Sequence, residues 1–66
     1  MKVGFLAKTH CQIRLPLQVL ESAAGFYIGT ANEEGPVSRE SVEYWRKKEL
    51  AELALREDLW TQRDNP

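Results

Sequence analysis

One cysteine, one histidine, three prolines and no long apolar run bound what these 66 residues can do. The lone Cys11 allows no disulfide within the chain, whereas a small secreted domain usually needs several. A reducing, cytoplasmic setting is therefore expected. A zinc site takes four ligands, mostly Cys and His, and His10 and Cys11 are all the chain has of either. As neighbours on an extended segment they would also point apart, which is poor geometry for a nucleophile and its base. No stretch approaches the roughly 18 apolar residues of a membrane span. The run Val3 to Ala7 falls short of the apolar core of about seven residues in a signal peptide. A surplus of either charge is missing too: nine basic residues meet ten acidic ones. A general nucleic-acid binder usually carries excess cations to neutralise phosphates. Catalytic signatures such as GxSxG, HExxH or a phosphate-cradling glycine loop do not occur. Glu33 and Glu34 are adjacent, but in a solvated turn nothing would separate their proton affinities for acid–base work.

What is present suits a folded domain. Apolar residues make up 42% of the chain at a net charge of −1, which excludes the low-hydrophobicity, high-charge signature of disorder. A chain this short has a thin core and no room beside it for a deep cleft of about 300 Å³. The expectation is a single non-enzymatic domain over residues 1–66, with no cofactor, no metal and no evident small-molecule substrate.

Residues 1–11 have no clear period and would form a loose tail or an edge strand. From Gln12 the pattern sharpens. Ile13, Leu15, Leu17 and Val19 alternate with Arg14, Pro16 and Gln18, the period of a half-buried strand. Pro16 places that strand at an edge, because it lacks a ladder donor. Glu21 to Gly25 reads as a turn, Phe26 to Thr30 as a central strand, and Asn32 to Pro36 as the strongest turn in the chain, with Pro36 stopping ladder pairing.

Val37 to Trp45 admits a third strand or the first half of a long helix capped by Ser38. Charge placement favours the long helix, since a helix starting near Arg46 would set Arg46, Lys47 and Lys48 at its positive end. Periodicity favours the strand. Leu50, Ala51, Leu53, Ala54 and Leu55 share one apolar arc, which Trp45 does not join. Burying an apolar face generally outweighs screened surface charge. The reading is a strand over 38–44 and a helix over 46–57, the latter supported by a Glu52–Arg56 pair at i,i+4. Leu59-Trp60 would fold back on the sheet, and 61–66 would be a polar tail. The fold class is α+β: a three-stranded antiparallel sheet packed by one C-terminal helix, in the order β-β-β-α.

One helix covers one face of such a sheet, so the other needs an occupant. Tyr27 and Trp45 are the aromatics expected there, with Arg14 and Arg39 nearby. Tyr, Trp and Arg are the side chains enriched at binding hot spots, and these four form the candidate partner-binding set. The plain reading is that they only cover the second face. Ser38-Arg39-Glu40-Ser41 reads either as a recognition edge or as a solvated strand face with Arg39 paired to Glu40 or Glu43. Arg46-Lys47-Lys48 reads either as a phosphate contact or as a cluster balanced by nearby glutamates.

The run Gly25-Phe26-Tyr27-Ile28-Gly29-Thr30, with Glu34-Gly35-Pro36, Ser38-Arg39-Glu40-Ser41, Glu43-Tyr44-Trp45, Ala51-Glu52, Leu55 and Trp60-Thr61-Gln62-Arg63, resembles short uncharacterised proteins of enterobacterial prophages and plasmids. The resemblance spans roughly residues 12 to 63 and implies a mobile-element setting. The β-β-β-α order is also similar to the arm-type DNA-binding domains of phage integrases, which read the major groove with a three-stranded sheet. That topology implies a sheet-based DNA-binding accessory protein using Arg14, Arg39 and Arg46 to Lys48, with Glu21, Glu40 and Glu43 set against those charges. The favoured partner is another protein or a second copy of the chain; nucleic acid is the alternative.

Overall fold

The computed structural model describes residues 3–10 and 14–64. Its elements are α1 (Phe5–His10), β1 (Gln18–Ser22), β2 (Gly25–Asn32), β3 (Gly35–Arg39) and α2 (Lys48–Glu57). The strands form one antiparallel sheet in the order β1-β2-β3, the expected α+β class.

Both hairpins close by the same local chemistry. Two ordinary turn residues, Ala23-Ala24 or Glu33-Glu34, precede a glycine at positive φ: Gly25 at 131° and Gly35 at 127°. A type I turn followed by such a glycine is a favoured hairpin connection. A side chain locks each turn, with Ser22 Oγ accepting the Ala24 N–H at 3.2 Å and Asn32 Oδ1 accepting the Glu34 N–H at 2.8 Å. The turns set the register, Ser22 opposite Gly25 and Asn32 opposite Gly35. The first strand therefore lies later than the alternation suggests, at Gln18–Ser22. Pro16 is joined to Val3 by an isolated bridge, while Ile13 and Cys11 lie outside the described residues. Pro36 does not stop pairing. It sits inside β3 opposite Ala31, where the register shifts by a bulge next to Thr30, a place where a missing N–H is tolerated.

The expected strand over 38–44 is interrupted. Past the Gly29–Arg39 pair an unbroken register would set Phe26 opposite residue 42, but Phe26 pairs with Trp45, three residues later. Ser41 causes the break: its Oγ accepts the Ile28 N–H at 3.0 Å and donates to the Glu43 carbonyl at 2.9 Å. The ladder resumes as Phe26 and Trp45 exchange both backbone bonds at 2.8 Å.

Two further elements differ from expectation. Phe5–His10 is a helix, neither tail nor edge strand, and it buries Leu6 and Ala7 completely. Thr61 to Arg63 is not a free polar tail: Val42 N–H donates to the Thr61 carbonyl at 2.9 Å and Arg63 N–H to the Glu40 carbonyl at 2.8 Å. Leu59 does not fold back and stands exposed, whereas Trp60 is half-buried.

α2 begins at Lys48, two residues later than expected, so Arg46 precedes it and Lys47 is an extended N-cap residue. It ends at Asp58, whose left-handed backbone lets its N–H reach the Ala54 carbonyl, a common helix stop. α2 lies against β1 and β2. No helix among the described residues is long and apolar enough to cross a membrane.

Candidate functional site

Strand alternation and register divide the sheet's side chains into two sets. Ile28, Thr30, Ser38 and Glu40 make up one set, all buried. At its centre the carboxylate of Glu40 has no exposed surface. One oxygen accepts the Leu6 N–H at 2.8 Å and the Gln62 amide at 2.8 Å; the other accepts the Ala7 N–H at 3.1 Å and the Ser38 hydroxyl at 2.5 Å. Ser38 has a single proton to give, so Thr30 donates in turn to Ser38 Oγ at 2.6 Å. Burial by itself would raise the Glu40 pKa, but donors from Leu6, Ser38, Gln62 and Ala7 reverse this and hold it below the ordinary 4.5. Every strong acceptor site on the carboxylate is in use. Glu40 therefore ties α1, β3 and the C-terminal segment together and leaves no vacancy for a substrate.

The second set contains Tyr27, Gly29 and Arg39, and the loop between Ser41 and Trp45 lays Tyr44 over it. The rings of Tyr27 and Tyr44 meet edge to face, centroids 5.9 Å apart and planes at 71°. The Arg39 guanidinium sits 4.7 Å from the Tyr44 centroid, and its Nη1 donates to the Tyr44 hydroxyl. Arg39 Nε is buried without a partner among the described residues. Burial, and secondarily the nearby Tyr44, raises the Tyr27 pKa above 10.0, with Arg39 opposing.

Of the four residues expected to form a partner-binding face, Tyr27 and Arg39 lie on one sheet face, both against Tyr44. Tyr27 is only 7% exposed and Trp45 is half-buried with its backbone paired to Phe26. Arg39 is engaged by Tyr44 rather than by Glu40 or Glu43, and Arg14 is exposed, with no hydrogen bond or ion pair to the other three. Tyr44, not Trp45, is the exposed member of that adjacent pair. The alternation Phe26, Ile28, Thr30 opposite Ser38 and Glu40 was the available signal that Glu40 faces inward.

Exposed apolar side chains occur at Val3, Phe5, Val42 and Leu59, and two more lie on α2. α2 turns its small residues to the core, Ala51 at 0% and Ala54 at 5% exposed, with Leu55 half-buried. Leu50 and Leu53 stay 47% and 41% exposed, although all five were expected to face the sheet. Arg56 meets the adjacent Glu57 at 3.3 Å in place of Glu52. An open groove is lined by Val42, Thr61, Gln62, Arg63 and Asp64. Among the described residues no group of three or more His, Cys, Asp or Glu side chains is placed to hold a metal ion. Comparison with protein-family models, curated proteins and solved structures finds no match to this chain.

Proposed function

We propose that the chain is a small, non-enzymatic accessory module that acts by protein–protein contact, with the exposed flank of α2 as its binding surface. The observation that carries this is the inversion on α2, where alanines fill the core side and two leucines face water. Fully burying a leucine gains roughly 1.5–3 kcal/mol, and with Leu50 and Leu53 still 47% and 41% exposed a partner covering them would recover part of that. Exposed contiguous apolar surface on a small domain marks interaction sites. A cytoplasmic, mobile-element setting belongs to the same reading, drawn from the single cysteine and the sequence resemblance.

The test is capture from a nuclease-treated lysate of the encoding cell, comparing the native chain with a Leu50→Ser/Leu53→Ser variant of unchanged circular dichroism. A stoichiometric protein held by the native chain and lost by the variant is expected. Equal retention by both would remove α2 from the function. Capture that vanishes with nuclease would favour the nucleic-acid alternative.

A further inference from the structure

We infer that α1 is a lid on the sheet, opening and reseating as a unit while the three strands and α2 stay folded. This device is independent of the α2 flank. Six residues are too few for a helix to persist alone, so Phe5–His10 is helical only while docked. Within the segment, the Lys8 N–H and the Thr9 hydroxyl donate to the Gly4 and Phe5 carbonyls at 3.0 and 2.8 Å. Outside it, the Leu6 and Ala7 N–H groups reach Glu40, and the Gly4 N–H reaches the Leu15 carbonyl at 2.8 Å, beside the bridge from Val3 to Pro16. The remainder is tied together without α1. The ladders of β1, β2 and β3, the Phe26–Trp45 pair, and the bonds from Val42 to Thr61 and from Arg63 to Glu40 all lie within residues 18–63. α2 lies against β1 and β2, whereas α1 rests mainly on β3.

The row beneath the lid is polar. A Cβ on Gly4 would collide with Thr30 Cγ2 and fall 2.7 Å from Glu40 Oε2. The chain at Gly4 therefore presses directly on Thr30 and Glu40, and Ser38 is hydrogen-bonded to both. The donors to the buried Glu40 carboxylate are neutral, three amides and one hydroxyl, and no cation among the described residues pairs with it. A buried carboxylate without a counter-charge bears a desolvation cost, which opening relieves. Water then takes the place of the Leu6 and Ala7 amides, while Ser38 and Gln62 stay in place. Glu40 thus has, in the open form, the free acceptor positions that it lacks in the seated one. The burial of Leu6 and Ala7 opposes opening. Elements with few buried apolar contacts open locally at free energies below that of global unfolding.

Native-state hydrogen exchange of the full chain, read by NMR at increasing urea, tests this. The Leu6, Ala7 and Lys8 amides are expected to be at least about tenfold less protected than that of Ile28. Their protection should also depend less steeply on urea, because lifting α1 exposes less surface than unfolding the whole chain. One common protection and one urea slope for all four amides would overturn the inference, since α1 would then be lost only with everything else. Gly4→Ala is the second arm. Its methyl collides with two buried side chains, so α1 cannot reseat. The variant is expected to lose the protection of Leu6 and Ala7 while Phe26 and Ile28 keep theirs to within about tenfold. Loss of protection throughout β2 in that variant would equally overturn the lid, because the remainder would not stand without α1.

Discussion

The backbone N–H of Leu6 donates to the carboxylate of Glu40 at 2.8 Å, across 34 positions of chain. A six-residue helix has almost no stability of its own. With Glu40 accepting from both Leu6 and Ala7, the first turn of α1 gains an anion where its orphan donors need one.

Glu40→Gln is expected to destabilise the protein by about 2–3 kcal/mol, read from urea denaturation. The amide offers one acceptor oxygen where four donors converge, and buried donors left unpaired cost about 1–3 kcal/mol each. A change below about 0.5 kcal/mol would show that water replaces the carboxylate freely.

Acid should unfold the protein through the same group. The Glu40 pKa is lowered on folding, by hydrogen bonds that outweigh burial, and that of Glu43 is lowered by the Thr61 N–H against the same opposing effect. A depressed carboxylate contributes stability that is complete above its unfolded value, near 4.5, and lost as pH falls through the folded one. The urea midpoint should hold on the acid side down to about pH 5 and fall below it. In Glu40→Gln the fall should be shallower; an identical slope would show that other carboxylates carry it.

Gln62 and Glu40 should behave as one unit. Gln62→Ala removes the amide at 2.8 Å from the Glu40 carboxylate, for an expected loss of about 1.5–3 kcal/mol, as for bonds to charged groups. A double-mutant cycle with Glu40→Gln should give a coupling of at least about 0.5 kcal/mol. Strict additivity would mean the two residues act separately.

Tyr44→Ala should uncover Tyr27. Its phenol, raised by burial and then by the adjacent Tyr44, is expected to titrate closer to 10 in an ultraviolet absorbance titration. Arg39 loses its ring contact at the same time, for about 0.5–1 kcal/mol of stability. An unchanged phenol titration would place the cover over Tyr27 elsewhere.

Gly29→Ala should fail more severely than its position in a strand suggests. An added methyl would collide with the Ser38 carbonyl and lie 3.0 Å from the Tyr27 ring. Because the colliding atom is backbone, the sheet has to shift, and a loss of about 1–3 kcal/mol is expected, as for overpacked cores. Thermal denaturation at or above the native midpoint would contradict this.

The central strand, both turns and α2 are legible because local chemistry specifies them: aromatic and β-branched residues, turn side chains ahead of a glycine, and leucine with alanine at helical spacing; the third strand begins at Gly35 rather than Ser38 because Pro36 pairs at a bulge. α1 was not legible, since its partner Glu40 lies far along the chain and Phe5–His10 carries no period. β1 was displaced because alternation from Ile13 continues past Pro16, whereas the Ser22–Gly25 closure chooses which part of that pattern pairs. The order of Tyr44 and Trp45 was inverted because Ser41 diverts the chain, and a serine gives no advance notice of bonding the backbone of the neighbouring strand. Glu40 belongs to a segment that reads as a recognition edge or a solvated strand face, although its alternation with Ile28 and Thr30 places it inside. Leu50 and Leu53 were assigned inward because hydrophobicity ranks leucine over alanine, while the helix approaches the sheet on its smaller residues.

The convergence on Glu40 also bears on how fast the molecule comes apart. Three of its four donors lie 34, 33 and 22 positions away along the chain, separations expected to close late in folding because loop closure precedes any gain. Bonds absent from the transition state act on the unfolding rate alone. Glu40 is then a latch more than a nucleus: removing it should hasten unfolding while leaving the rate of refolding nearly unchanged, so the persistence of this thin-cored domain rests on one carboxylate that contributes little to its assembly.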